Sequence, residues 1–144
     1  MKYLNLIFCI VFLTCTSQVF GQRKIIKQAN KYYEAKKYTE AIQLYNQVKK
    51  IDENYALLFK RGIAHYESRN IDDAISDFAA AKSLGYSEDD IYWYTGLALH
   101  ANGRYSDAVQ FYKNYLRYVD DEYTQQQIIE RIKQCRFADN NKYN

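Results

Sequence analysis

Proline is missing altogether from the 144 residues, and there are only five glycines, two histidines and three cysteines. A chain so poor in turn-formers, with sixteen tyrosines and 48% hydrophobic residues, suits a helical protein packed through aromatic rings. It suits neither a disordered tail nor a β-sandwich. The histidines, His65 and His100, stand far apart, and no glycine-rich phosphate loop or paired cysteine accompanies them. Nothing there builds a metal site, an activated nucleophile or a phosphate cradle, so no catalytic residue, metal or cofactor is expected. A one-signed charge is lacking too: the formal net charge is only +3, and Lys and Arg alternate with Asp and Glu. Nucleic-acid binders gather basic charge on one face, often with aromatics set among it. Neither nucleic acid nor a small-molecule substrate is therefore expected as a partner. The length suffices for one compact domain with a hydrophobic core.

The amino terminus is a separate segment. Lys2 precedes an apolar run from Leu4 to Leu13, and Val19 and Gly21 stand just before Gln22. As a helix that run spans about 15 Å, half of the roughly 30 Å of a bilayer core. Residues 1–21 therefore read as a signal peptide cleaved between Gly21 and Gln22, and the chain as exported to the periplasm. The alternative is lipidation at Cys15, which would make the chain an outer-membrane lipoprotein and an assembly subunit of an envelope or secretion complex. Against it, Cys15 follows Thr14, where Gly, Ala or Ser is usual. Cleavage leaves Cys135 as the single cysteine, so no intramolecular disulfide supports the fold. Cys135 reads as a small core hydrophobe.

One phrase is written three times: YTEAIQLY (38–45), IDDAISDF (71–78) and YSDAVQFY (105–112). Ala41, Ala74 and Ala108 are each followed four residues on by Tyr45, Phe78 and Tyr112. Twelve residues before each stands Ala29, Gly62 or Gly96. A period near 34 with small residues at fixed offsets signals helical hairpins that stack on copies of themselves. Two antiparallel helices approach closely only where side chains are small, so Gly62 and Ala74 mark a crossing. The aromatic beyond the Ala is expected to fill the wedge toward the next hairpin. Turn signals at Lys36-Lys37, Arg69-Asn70 and 102–104 separate the helices. Asn70 with Asp73, and Ser87 with Asp90, have the form of N-terminal caps. The acidic clusters at 72–73, 88–90 and 120–122 fall at helix starts, where the dipole favours negative charge. Helices are predicted at 23–36, 38–51, 55–69, 71–84, 88–102, 105–118 and 122–137. In the last, Ile128, Ile132 and Cys135 form one apolar stripe, as a terminal capping helix requires. Residues 138–144 have nothing to bury and are expected to fray.

The pattern resembles the tetratricopeptide repeat (TPR) family. The family's motif positions fall on Ile25, Gln28, Ala29, Tyr32, Ala41 and Tyr45, then on Leu58, Arg61, Gly62, His65, Ala74 and Phe78. A third set falls on Tyr92, Thr95, Gly96, Leu99, Ala108 and Tyr112. The family's closing proline is absent throughout. The resemblance implies an all-α fold: a right-handed superhelix of three hairpins (22–54, 55–87 and 88–121, together 22–120) closed by the helix at 122–137. It further implies a protein-binding scaffold rather than an enzyme. In the family a second stripe on the first helix of each hairpin lines the groove that holds a peptide or partner helix. Here that stripe comprises Asn30 and Tyr33 (with Ile26), then Phe59, Ile63 and Tyr66, then Trp93, Leu97 and His100. Aromatics with polar tips are favoured interface anchors, so a protein or peptide partner with apolar anchors is expected. Members that clamp chaperone carboxyl termini use Lys, Asn and Arg in the groove, and only Asn30 matches that set. His65 falls where the family packs a tyrosine and reads as a core histidine.

More narrowly, the signal peptide, the three repeats and the helix ending RIKQCRFA resemble the N-terminal segment of large Gram-negative envelope proteins. Those proteins continue into a β-propeller and an OmpA-like domain. Neither later part is present, so the expectation is either a small independent adaptor or a truncated relative.

Overall fold

In the computed structural model, which describes residues 21–87 and 89–142, every regular element is helical. The chain divides into two compact units, Met1–Ile51 and Asp52–Asn144. The expected signal peptide and Cys15 lie outside the described residues, except for Gly21. Among the described residues no helix is long and apolar enough to cross a membrane.

The first unit holds α1 (residues 21–34) and α2 (Tyr38–Tyr45). Ala29 and Ala41 are fully buried, as a close crossing requires. Tyr45 is buried with them, and its hydroxyl donates to Asn30 Oδ1 at 2.8 Å. Helix α2 ends at Tyr45, short of the expected residue 51. Beyond it the ladder tightens: the Gln47 and Val48 amides donate to Leu44 and Tyr45 carbonyls, and the Lys49 amide leaves the ladder for Gln22 Oε1 at 2.7 Å. Lys50 then turns left-handed, at φ 59°, before a short 3-10 turn over Ile51–Glu53.

The second unit comprises α3 (Tyr55–Glu67), α4 (Ile71–Ser83), α5 (Asp90–Ala101), α6 (Tyr105–Tyr115) and α7 (Glu122–Asn140). Helices α3 and α4 form one hairpin, α5 and α6 the next, and α7 packs on α6. The first-turn acids Asp72, Asp73, Asp90, Asp107 and Glu122 sit where the helix dipole favours them. The side-chain caps fall elsewhere than expected. Asn54 Oδ1 accepts from the Leu57 amide at 3.0 Å, and Asp121 Oδ1 from the Thr124 amide at 2.8 Å. Asn70 makes no cap hydrogen bond, because its amide group lies 3.5 Å from His65 Nδ1 instead. Ser87 does not cap α5 either, since that helix starts only at Asp90, after Asp89.

The turns between helices share one closure. After α1, α3, α4 and α5 the residue following the last turn is left-handed: Lys36, Arg69, Gly85 and Gly103. In each case the next amide reaches back five residues, as Asn70 does to His65 O and Arg104 to Leu99 O, both at 2.9 Å. This paired closure satisfies carbonyls that a helix end would otherwise orphan.

The repeated phrase has a direct steric meaning. A Cβ on Gly62 would stand 2.6 Å from the Phe78 ring, and one on Gly96 would stand 2.8 Å from Tyr112. The aromatic therefore first seals its own hairpin by lying on the glycine. It also reaches the next one, as the ring of Phe78 stands 6.3 Å from that of Tyr94. A bidentate pair closes the α3–α4 crossing, with Arg61 Nε and Nη2 each 2.7 Å from an Asp77 oxygen. At the other end Ile128, Ile132 and Cys135 of α7 are buried against Leu99, Val109 and Tyr112. Burial pushes the Cys135 thiol up, as befits a core side chain. Helix α7 also runs on to Asn140, so residues 138–140 are helical rather than frayed. Ser106 Oγ donates to Asp139 Oδ2 at 2.7 Å there.

Candidate partner-binding site

The stripe predicted to line a groove is split by the structure. Asn30 and Tyr33 belong to the first unit, where both are half-buried. Asn30 is held by Tyr45, and Tyr33 meets Tyr38 edge-on at 6.0 Å. Beside Asn30, the face of α1 carries Arg23, Lys24, Lys27 and Lys31 around a cleft of ≈ 830 Å³.

In the second unit, Phe59 and Ile63 belong to the core, at 4% and 6% exposure, and not to an open groove. The reason lies in the loop after α4. Gly85, at φ 92°, turns the chain so that Tyr86 stacks on Phe59 with ring centroids 4.5 Å apart. Phe78 and Tyr94 close around the same ring, each at 5.7 Å.

Tyr66, Trp93 and Leu97 do come together. They line a cavity of ≈ 300 Å³ with Glu67, Arg69 and Arg131. Trp93 is half-buried: its indole packs on Tyr112 and Tyr115 at 5.7 and 5.5 Å, and the Arg131 guanidinium lies 5.9 Å from its ring. That arrangement sets aromatic and aliphatic side chains beside two guanidinium groups and the carboxylate of Glu67. It suits an apolar anchor followed by an acidic group. Arg69 and Arg131 were not foreseen. Arg69 looked like turn punctuation, and Arg131 lies on the flank of a helix read only for its apolar stripe.

His100 is not part of that lining. It turns to its own hairpin, edge-on to Tyr105 and Tyr112 at 5.7 and 6.3 Å, and the Tyr112 hydroxyl stands 3.5 Å from its Nδ1. Burial, with help from Arg131, holds its pKa below the ordinary value. His65 is likewise held low, chiefly by burial and secondarily by Arg61, against the opposing pull of Asp77 and Asp73. A neutral His65 accepts from the Asn70 amide group. Among the described residues no group of three His, Cys, Asp or Glu gathers where it could hold a metal.

Comparison with known proteins agrees with this architecture. Residues 59–123 match the tetratricopeptide repeat family. The first TPR domain of human RPAP3 is 25% identical, with a TM-score of 0.70 over 85% of this chain and 97% of that domain. The first TPR of Spaghetti (RPAP3), bound to an HSP90 peptide SRMEEVD, is 24% identical, with a TM-score of 0.64 over 81% of this chain and 94% of that one. The Yersinia enterocolitica type III secretion chaperone SycD, in complex with a peptide of the translocator YopD, is 12% identical. Its TM-score is 0.66 over 80% of this chain and 92% of that one. No curated protein sequence matches the chain. The described chain thus has the fold of tetratricopeptide-repeat domains, and its residues 59–123 carry that family's repeat.

Proposed function

We propose that the chain is an exported, non-enzymatic scaffold that captures a protein or peptide partner in the cell envelope. The observation that carries the binding role is the cavity that Tyr66, Trp93 and Leu97 line together with Arg69 and Arg131. Tyr66, Trp93 and Leu97 take an apolar side-chain anchor, and the two guanidinium groups, set against the one carboxylate of Glu67, leave a net positive charge that favours an acidic residue beside that anchor. Peptide-bound TPR structures of the same fold support the reading, among them the complexes with SRMEEVD and with a YopD peptide. The export half rests on the amino-terminal sequence, with its short apolar run and Val19-Phe20-Gly21.

Trp93→Ala is expected to weaken partner capture by about 2 kcal/mol while keeping the helical circular dichroism. Tyr112→Ala, which uncovers Gly96, is expected to lower the melting temperature first. Cross-linking capture from the envelope, compared between the parent and Trp93→Ala, checks this. Equal capture by both removes the cavity from the binding site. The second reading is an outer-membrane lipoprotein anchored through Cys15, which follows the apolar run, although Thr14 stands where Gly, Ala or Ser is usual. Intact mass of the exported protein separates a chain beginning at Gln22 from one carrying lipid on Cys15.

A further inference from the structure

A second cavity, of ≈ 490 Å³, opens on the other side of α5. Thr95 and Leu99 line it, each two residues and so about 200° around the helix from Trp93 and Leu97. Its volume lies within the roughly 300–1,000 Å³ of small-molecule sites. Ile75, Phe78, Ala79 and Phe111 supply apolar walls from α4 and α6. Three charged side chains, Lys82, Arg104 and Asp107, reach the lining as well. Arg104 is paired with Asp107 at 2.6 Å, which leaves Lys82 as the net charge of the cavity. Lys82 Nζ lies over the rings of both Tyr92 and Phe111, 4.9 Å from each ring centre, so its ammonium is held beside the aromatic wall. Thr95 is 6% exposed, and its buried Oγ1 has no hydrogen-bond partner among the described residues. A helical threonine ordinarily settles its hydroxyl on a carbonyl one turn back.

We infer that this cavity binds an amphipathic carboxylate, a molecule with an apolar chain and one anionic head. The apolar chain lies against Ile75, Ala79 and Phe111, over the buried Phe78 and Leu99, and the head pairs with Lys82. Thr95 lines the same cavity, and its unpaired hydroxyl is a donor for the carboxylate. A neutral chain would leave Lys82 unpaired, and a dianion would meet Asp107. The inference is independent of the peptide-binding reading, because the two cavities share no residue.

Decanoate, kept below its micelle concentration, is the probe, and its binding to the full chain is followed by titration calorimetry. Saturable binding at one site is expected, with decanol binding more weakly. Lys82→Glu reverses an exposed charge and is expected to weaken decanoate by about tenfold or more. Ala79→Trp fills the cavity from an exposed position and is expected to abolish binding, with circular dichroism confirming the fold. Phosphatidylglycerol vesicles, whose head is a phosphodiester, are expected not to displace decanoate, and displacement overturns the assignment of a carboxylate head. Absence of saturable binding, or binding that survives both Ala79→Trp and Lys82→Glu, overturns the inference.

Discussion

The two glycines under aromatic rings set opposing effects against each other. In a helix interior alanine is favoured over glycine by about 1 kcal/mol. At Gly62 and Gly96, however, the new methyl would meet Phe78 at 2.6 Å and Tyr112 at 2.8 Å. Both rings are fully buried and cannot swing away cheaply. Overpacking of this kind costs about 1–3 kcal/mol, so Gly62→Ala and Gly96→Ala should each lower the urea midpoint despite the better helix former. An unchanged or higher midpoint would show that the rings yield. The histidines add a pH dependence. Both have folded pKa values held below the ordinary value near 6.5, so the unfolded chain binds more protons in that window. Their contribution is complete above about pH 6.5 and declines as pH falls toward the folded values. Stability measured from pH 7.5 down to 5 should therefore drop, and His65→Phe should flatten part of the slope. A slope identical in His65→Phe assigns the effect to other groups.

At the scale of elements, the positions governed by steric necessity were legible and those governed by local hydrogen bonding were not. Ala29, Gly62 and Gly96 announced the crossings because only small residues fit there. The end of α2 was misread because Tyr45, Val48 and Ile51 are spaced three apart, a spacing that a tightened 3-10 chain buries as well as a helix does. Asn70 looked like a cap, but the left-handed Arg69 before it leaves the chain at ψ 69° rather than extended, and its side chain goes to His65. In the candidate site, helical spacing put Trp93 and Leu97 on one face of their helix, and the family resemblance suggested that this face and Tyr66 line a groove. Phe59 was misassigned because Tyr86, which covers it, arrives from a loop whose path depends on Gly85. Arg131 depends on how α7 docks, which no spacing within α7 records. The Asp121 cap fixes the start of that helix. Asp121→Ala is expected to cost about 1 kcal/mol and to fray the first turn of α7, seen as faster hydrogen exchange at Thr124. Unaltered exchange there would mean that packing alone holds the turn.

For the molecule as a whole, the second unit is a chain of neighbours: α3 with α4, α4 with α5, α5 with α6, and α6 with α7. Such arrays distribute a local loss to adjoining repeats. Ala74 is fully buried in the middle of that series. Ala74→Leu is expected to cost about 1–3 kcal/mol and to raise amide exchange not only in α3 and α4 but also in α5. Melting identical to the parent would place the crossing elsewhere.

The shared closure at Arg69 and Gly103 bears on how such a chain grows. Residues 71–104 begin at the start of α4 and end one residue before the start of α6, so their two ends occupy equivalent places in the fold. An in-frame duplication of the corresponding stretch of DNA would join Arg104 to a second Ile71, across the junction that Arg104 already makes with Tyr105. Unequal recombination at such a junction lengthens the protein by a whole hairpin and leaves every existing turn as it was.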